Sequence, residues 1–230
     1  MKISILIAIS MILNISILAN SSISDKVKDL KKTVIYKNDF NSDNFNKETE
    51  FNGSWRALEK RTENGNKIAV ENNVLVISHP REIKHPLGVF WDLKKGSFLT
   101  DVAVQAKFKI KSDEEMTLGF TGDNNTKGHS RIFMLTVNKD GCKFADVSSK
   151  GSHTSQQLKA PIASDKWHDI LFLIQGEKCT VYINDLPAAT LESKGLAYNK
   201  KTLKLGTKTS FEIDDLTLWS LSGEPRSAKK

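Results

Sequence analysis

The clearest signal in the chain is an alternation of period two. Between residues 101 and 111, Val102, Val104, Ala106, Phe108 and Ile110 fall on one side, while Ala103, Gln105, Lys107, Lys109 and Lys111 fall on the other. Successive side chains of an extended segment point to opposite faces, so this stretch reads as a long half-buried strand with a lysine ridge toward solvent. A helix would scatter those lysines around its circumference. Runs of the same character recur at 74–78, 87–93, 116–120, 132–137, 167–174, 179–183, 203–205 and 211–219. Turn residues separate them: Glu71-Asn72-Asn73, Gly122-Asp123-Asn124-Asn125, Lys139-Asp140-Gly141, Gln175-Gly176-Glu177 and Asn184-Asp185. Asp140-Gly141 and Gly176-Glu177 are the best two-residue hairpin turns. No helix of ten residues or more is indicated after Lys32, and no linker divides the stretch from Thr33 to Leu221. Many closely spaced strands with few helices imply one all-β domain of two packed antiparallel sheets.

The first residues have a different pattern. Met1-Lys2 precede an uncharged apolar run, 3–19, interrupted by Ser4, Ser10, Asn14 and Ser16, and then a polar Asn20-Ser21-Ser22. This is the layout of a secretory signal peptide, with cleavage expected after Ala19 and a secreted or periplasmic product. With its polar interruptions the run is short for a stable membrane span. The expected organisation is a signal peptide at 1–19, a charged lead-in at 20–32 forming one helical turn or a mobile linker, the β domain at 33–221, and a mobile tail at 222–230.

Composition narrows the classes. The 230 residues are 39% hydrophobic and include 11 Phe and 4 Trp, which excludes a disordered chain. The formal charge is +7, from 34 basic and 27 acidic side chains, but the lysines are dispersed and no aromatic interleaving accompanies them. That argues against nucleic acid as a partner. Loss of the leader removes Lys2, and the ridge at 107, 109 and 111 reads as a solvated strand face. Cys142 and Cys179 are the only cysteines. In an oxidising compartment they form either one disulfide, worth on the order of 4 kcal/mol, or two separate buried thiols.

A further set of residues carries a resemblance. Asn38-Asp39-Phe40, Gly53-Ser54-Trp55 and Asn72-Asn73-Val74-Leu75 are followed by Trp167-His168-Asp169-Ile170, Val181-Tyr182-Ile183-Asn184 and Ile213-Asp214-Asp215-Leu216. This series resembles the concanavalin A-like jelly-roll domains. In that fold the second pair of segments forms a hairpin, and the last returns beside the N-terminal strand. Within it the chain is most similar to the 3-keto-disaccharide hydrolases, also described as 3-keto-glucoside lyases and hydratases. Better-known members carry Asn-Ser-Gly-Ile where this chain reads Thr117-Leu118-Gly119-Phe120-Thr121; here Lys127-Gly128-His129-Ser130-Arg131 follows in the next loop. Glu212-Ile213-Asp214 also resembles the start of a laminarinase-type Glu-x-Asp-x-x-Glu strand. Position 217 is Thr, so the second carboxylate that retaining hydrolysis needs is missing.

The resemblance implies a carbohydrate partner and chemistry on a keto-sugar. A base removes the proton beside the ketone, a cation or metal steadies the enolate oxygen, and the glycosidic substituent leaves. The candidates are His129 and His85 as base, Arg131 as cation and Asp146 as carboxylate, with Lys127 and Trp91 contacting substrate. His153 is placed on an exposed loop, and His168 is read as structural. No cofactor is specified. A divalent metal is the one candidate, either His-bound or on the oxygens of Asp123, Asn124 and Asn125. The alternative is a non-catalytic lectin-like or structural module.

Overall fold

The computed structural model describes residues 22–41, 54–57, 66–79, 87–122, 131–146, 152–158 and 161–227. The strands are β1 (Thr33–Asn38), β2 (Ser54–Ala57), β3 (Lys67–Glu71), β4 (Val74–Ser78), β5 (Leu87–Asp92) and β6 (Ser97–Phe98). Next come β7 (Val102–Lys109), β8 (Glu115–Gly122), β9 (Arg131–Asn138), β10 (Gly141–Asp146), β11 (Ser152–Gln157) and β12 (His168–Gln175). The chain closes with β13 (Lys178–Ile183), β14 (Leu186–Glu192), β15 (Lys200–Thr207), β16 (Ser210–Ser220) and β17 (Arg226–Ser227). Among the described residues two large antiparallel sheets stack. One runs β14-β13-β12-β7-β16-β4-β3, with β1 also on β16 and eight strands in all; the other runs β11-β10-β9-β8-β15-β5-β2. This is a two-sheet jelly-roll sandwich, as the alternation and the resemblance led one to expect.

The core lies between the sheets and is built by the apolar half of each alternation. Phe172 of β12 meets Phe133 of β9 at 5.1 Å and Phe120 of β8 at 6.1 Å between ring centroids, and Phe144 of β10 lies 5.5 Å from Phe133. All four rings are fully buried. Each contributes about 1.5–3 kcal/mol of transfer free energy, and offset or tilted contacts of this kind add about 0.5–1.5 kcal/mol per pair.

Turn chemistry fixes the register. Asn72-Asn73 and Asn184-Asp185 hold both central residues at positive φ, which suits the twist of β3–β4 and β13–β14. Gly176-Glu177 links β12 to β13 as expected. The β9–β10 turn falls instead on Lys139-Asp140, one residue early, because Asn138 Oδ1 accepts from both Asp140 N–H and Gly141 N–H. His168 is a structural residue: its Nε2–H donates to the Ala163 carbonyl at 2.9 Å while Nδ1 accepts from Asn184 Nδ2 at 2.7 Å. That ties the start of β12 to the end of β13.

The segments flanking the β domain are structured where they are described. The lead-in contains a helix, α1 (Ile23–Lys28), started by a Ser22–Asp25 capping box. Ile23 and Val27 of α1 pack on Ala103, Leu171 and Trp219, on the outward face of the eight-stranded sheet. Lys26 lies 4.9 Å from the Tyr182 ring centroid and Lys32 lies 5.9 Å from that of Trp219. At the other end, Arg226–Ser227 pairs with Ser97–Phe98 as a two-residue strand. Val27→Asp is expected to undock α1, cost about 2 kcal/mol and red-shift the Trp219 emission. Unchanged denaturation and fluorescence would show that the helix contributes nothing.

Two lysines of the ridge, Lys107 and Lys109, are neutralised within the chain. Lys107 binds Asp215 at 2.6 Å and Lys109 binds Glu212 at 2.7 Å. Glu212 and Asp214 stand opposite Lys109 and Lys107 in the ladder, and a bulge between Asp214 and Thr217 turns Asp215 toward Lys107. This part of the positive charge has its counter-ions already.

The cysteines are free thiols, both buried, so the disulfide alternative is not realised. They stand on β10 of one sheet and β13 of the other. Facing sheets stack about 10 Å apart, beyond the roughly 4.4–6.8 Å Cα span that a disulfide tolerates. Burial pushes the Cys142 thiol up to about 12 and raises that of Cys179 as well. Neither is a thiolate near neutral pH. A thiol-exchange reagent at pH 8 should label neither in the native protein and both after unfolding. Absence of labelling in denaturant would reveal a disulfide instead.

Candidate functional site

The two outward faces of the sandwich are furnished differently. That of the eight-stranded sheet carries α1 and the paired lysine ridge. That of the seven-stranded sheet carries polar side chains that are buried although they point away from the core. Leu203 and Leu205 of β15 face the core, so Thr202, Lys204 and Gly206 face outward. Lys204 is nevertheless only 5% exposed and Thr202 8%, and Thr117 of the neighbouring β8 is 4% exposed. A lysine in the middle of an outward strand face is ordinarily solvated. Here it lies at the foot of the surface.

Register shows how this arises. One row crosses the sheet through Phe90, Lys204, Gly119, Met134 and Ala145. A second runs through Gly88, Gly206, Thr117, Thr136 and Lys143, and a third through Asp92, Thr202, Thr121 and Arg131. Glycine recurs beside Lys204 in these rows, which lowers the floor around it. The Lys204 ammonium lies 5.6 Å from the Phe90 ring centroid, and its Cε would stand 3.3 Å from a Cβ on Gly88. Gly119 is required by close approach: a Cβ there would stand 2.3 Å from the Phe133 carbonyl oxygen and 2.6 Å from Met134 Sδ. In the third row Thr202 Oγ1 donates to Asp92 Oδ1 at 2.6 Å, which ties β15 to β5 through side chains on the outward face. The face thus brings together an ammonium, a carboxylate, threonine hydroxyls and an aromatic ring on adjacent strands.

The expected site residues fall unevenly on this frame. His85, His129 and Lys127 lie outside the described residues, as do Asp123, Asn124 and Asn125. Arg131 begins β9 and its backbone stands opposite Thr121, at the end of the row that holds Asp92 and Thr202. A bulge between Phe120 and Thr121 sets that register. Asp146 stands opposite Phe133, one strand away and offset along the sheet from Arg131. His153 does not occupy a loop; it belongs to β11 and pairs with Ala145, at the end of the Lys204 row. Trp91 is a correction. Its indole is 1% exposed and lies 5.4 Å from Tyr36, inside the sandwich, so it offers no stacking face to a sugar. Val89 and Trp91 take the core side of β5, which leaves Phe90 as the outward aromatic.

Lys204, Asp92 and Thr202 were not singled out from the sequence. The signal was present in the alternation Thr202-Leu203-Lys204-Leu205-Gly206, where an isolated lysine sits between two core leucines. Its burial depends on cross-strand neighbours more than 80 residues away in sequence, which periodicity does not reveal. Among the described residues no group of three or more His, Cys, Asp or Glu is arranged to hold a metal ion.

No known family profile matches the sequence, and no curated protein is similar to it in sequence. Solved structures do match the fold. A carbohydrate-binding module of the CBM66 class from Bacillus subtilis is 14% identical with a TM-score of 0.51, over 72% of this chain and 95% of the module. A Bacillus subtilis protein of unknown function with a galectin-like fold is 12% identical with a TM-score of 0.55, covering 82% and 96%. An endo-β-1,3-glucanase from Pyrococcus furiosus is 12% identical with a TM-score of 0.57, covering 86% and 96%. At these identities the likeness is one of fold, and the fold hosts binding modules and enzymes alike.

Proposed function

We propose that the chain is an exported carbohydrate-active jelly-roll protein whose working surface is the outward face of its seven-stranded sheet. The carrying observation is the burial of Lys204 at 5% exposure on an outward strand position, beside the Asp92–Thr202 pair. Sugars are recognised by convergent donors and acceptors beside an apolar patch, and this face supplies both. Jelly-roll neighbours that bind or cleave glycans support the same reading. So does the apolar leader at 3–19, which has the layout of a secretory signal.

The chemical reading follows from the resemblance to the 3-keto-disaccharide hydrolases. A histidine, His129 or His85, takes the C2 proton of a 3-keto-glycoside, and the electron pair moves onto the ketone oxygen as an enolate. Collapse of the enolate expels the C1 substituent with its bonding pair, and that substituent takes up a proton as it leaves. Lys204, with Arg131 at the end of the neighbouring row, supplies the positive charge that steadies the enolate in a site of low dielectric. Asp146 is kept as the carboxylate that orients the base.

The test is incubation of the full mature chain with 3-keto-glucosides and with unoxidised glucosides, with and without divalent metal, alongside calorimetric titration of neutral oligosaccharides. Turnover confined to the keto-sugars supports the elimination. Binding without turnover leaves a carbohydrate-binding module, and neither binding nor turnover overturns the proposal.

A further inference from the structure

The end of the sandwich where β7 passes into β8 carries features that the seven-stranded face does not use. A cavity of about 220 Å³ opens there, with Lys109, Glu114, Asp165, Ser210 and Glu212 among its lining residues. A second hollow, of about 240 Å³, adjoins it at Glu114 and is lined further by Asp113, Asn138, Asp140 and Lys208. Beside a lining residue of the first cavity stands Trp167, 41% exposed and the most exposed aromatic residue among the described residues. The Lys109 ammonium, which lines the first cavity, lies 5.3 Å from the Trp167 ring centroid.

From this arrangement we infer a second glycan-binding site at this end of the sandwich, with Trp167 as its stacking platform and a neutral oligosaccharide as its ligand. Three observations converge. First, Lys109 lies against the indole and is itself held to Glu212 at 2.7 Å, so the ring is braced from one side, and Trp167 keeps 41% of its surface exposed for a ligand. The C–H face of a pyranose fits such a surface. Second, the polar groups nearby are already oriented. Glu114 Oε2 accepts from the Lys111 N–H at 2.6 Å and its Oε1 accepts from the Ser210 hydroxyl, so the carboxylate is fixed while each oxygen retains a lone pair for a sugar hydroxyl. Third, charge selects the class. Lys109 and Glu212 neutralise each other and the remaining lining is slightly acidic, which disfavours uronates, sulfated chains and nucleic acid and leaves polyhydroxyl ligands. The two hollows meeting at Glu114 suit consecutive sugar units.

The site is separate from the Lys204 surface, and the experiment keeps them apart. The full chain, labelled with 15N, is titrated with linear hexasaccharides of glucose, mannose, xylose and galactose, and with a hexauronate as control. At least one neutral hexasaccharide is expected to shift the Trp167 indole N–H resonance. Trp167→Ala should weaken that ligand about tenfold or more, whereas Trp167→Phe should retain most of the affinity. Lys204→Met should leave the Trp167 shift unchanged. An indole resonance unmoved by every neutral glycan, or moved only by the uronate, overturns the inference. If Lys204-dependent binding persists while Trp167 is silent, this inference alone fails; if Trp167 responds while the Lys204 surface does nothing, only the proposed function fails.

Discussion

Lys200→Met should lower the unfolding free energy by about 3 kcal/mol, the loss expected when several buried acceptors are deprived of a donor. Lys200 begins β15 and is fully buried, and its ammonium donates to three backbone carbonyls: Thr100, Leu196 at 2.6 Å and Tyr198 at 3.1 Å. Leu196 and Tyr198 belong to a short 3-10 turn (Lys194–Ala197) and its exit, while Thr100 lies on the connection into β7. One side chain therefore joins two connections that would otherwise carry unpaired buried oxygens. Methionine has nearly the same length and no donor, so the cavity stays filled and the loss isolates the hydrogen bonds. Chemical denaturation at pH 7 measures it, and a change below about 0.5 kcal/mol would show that the carbonyls are satisfied without the ammonium.

The same residue has a pH signature. Burial pushes Lys200 down to about 8, although Asp101 and Cys179 act in the opposite direction. The folded value lies below that of the unfolded chain, so below pH 8 both states are protonated and the burial cost is fully present. Between pH 8 and the ordinary lysine value of about 10.5, the folded state binds fewer protons than the unfolded state, and stability rises with pH. A neutral amine still has two N–H donors and keeps part of the clamp. Wild type should therefore gain on Lys200→Met across this window. A difference independent of pH would mean that the ammonium stays charged throughout.

Lys204→Met should weaken glycan binding, or keto-glycoside turnover, by about 10–100-fold, the factor that one charged hydrogen bond in a buried setting commands. The substitution keeps an unbranched chain along Gly88 and over Phe90, so the far-ultraviolet dichroism should be unchanged. Lys204→Arg gives the discriminating control. It keeps the charge but enlarges the head group on a crowded floor, and so should retain weak binding with poorer selectivity. Equal affinities for wild type and Lys204→Met would place the ligand elsewhere on the molecule.

These two lysines, four residues apart on one strand, show what was legible in the sequence. The alternation of Leu203 and Leu205 marked β15 as a strand, and the matching pattern from Val102 to Ile110 marked β7. A period-two pattern declares which side chains share a face, and the sandwich follows from many such faces needing cover. It does not declare how deep a face lies. Lys204 and Lys107 both occupy outward positions, yet one is buried and the other is exposed beside Asp215. Lys204 lies along Gly88 and against Phe90, neighbours that strand order, and not periodicity, brings alongside. Trp91 was misread for a related reason. Phe90 and Trp91 must face opposite ways, but the choice of side was set by Val89 and the β15 ladder. β11 has no period-two signal because Ser152-His153-Thr154-Ser155-Gln156-Gln157 has no apolar half, while its ladder with β10 runs from Gly141–Gln157 to Asp146–Ser152.

The docking of α1 has a practical consequence. Because Ile23 and Val27 are seated on the eight-stranded sheet, whatever is joined ahead of Ser22 leaves the molecule from the side opposite Lys204. A protein tethered through that end, to a bead or to a cell envelope, would hold the seven-stranded sheet away from its support. Tethering instead through Lys143, exposed on the outward face of the seven-stranded sheet, would turn the molecule over. Comparing glycan capture in these two orientations reads out, without any substitution in the site, which side of the sandwich meets the ligand.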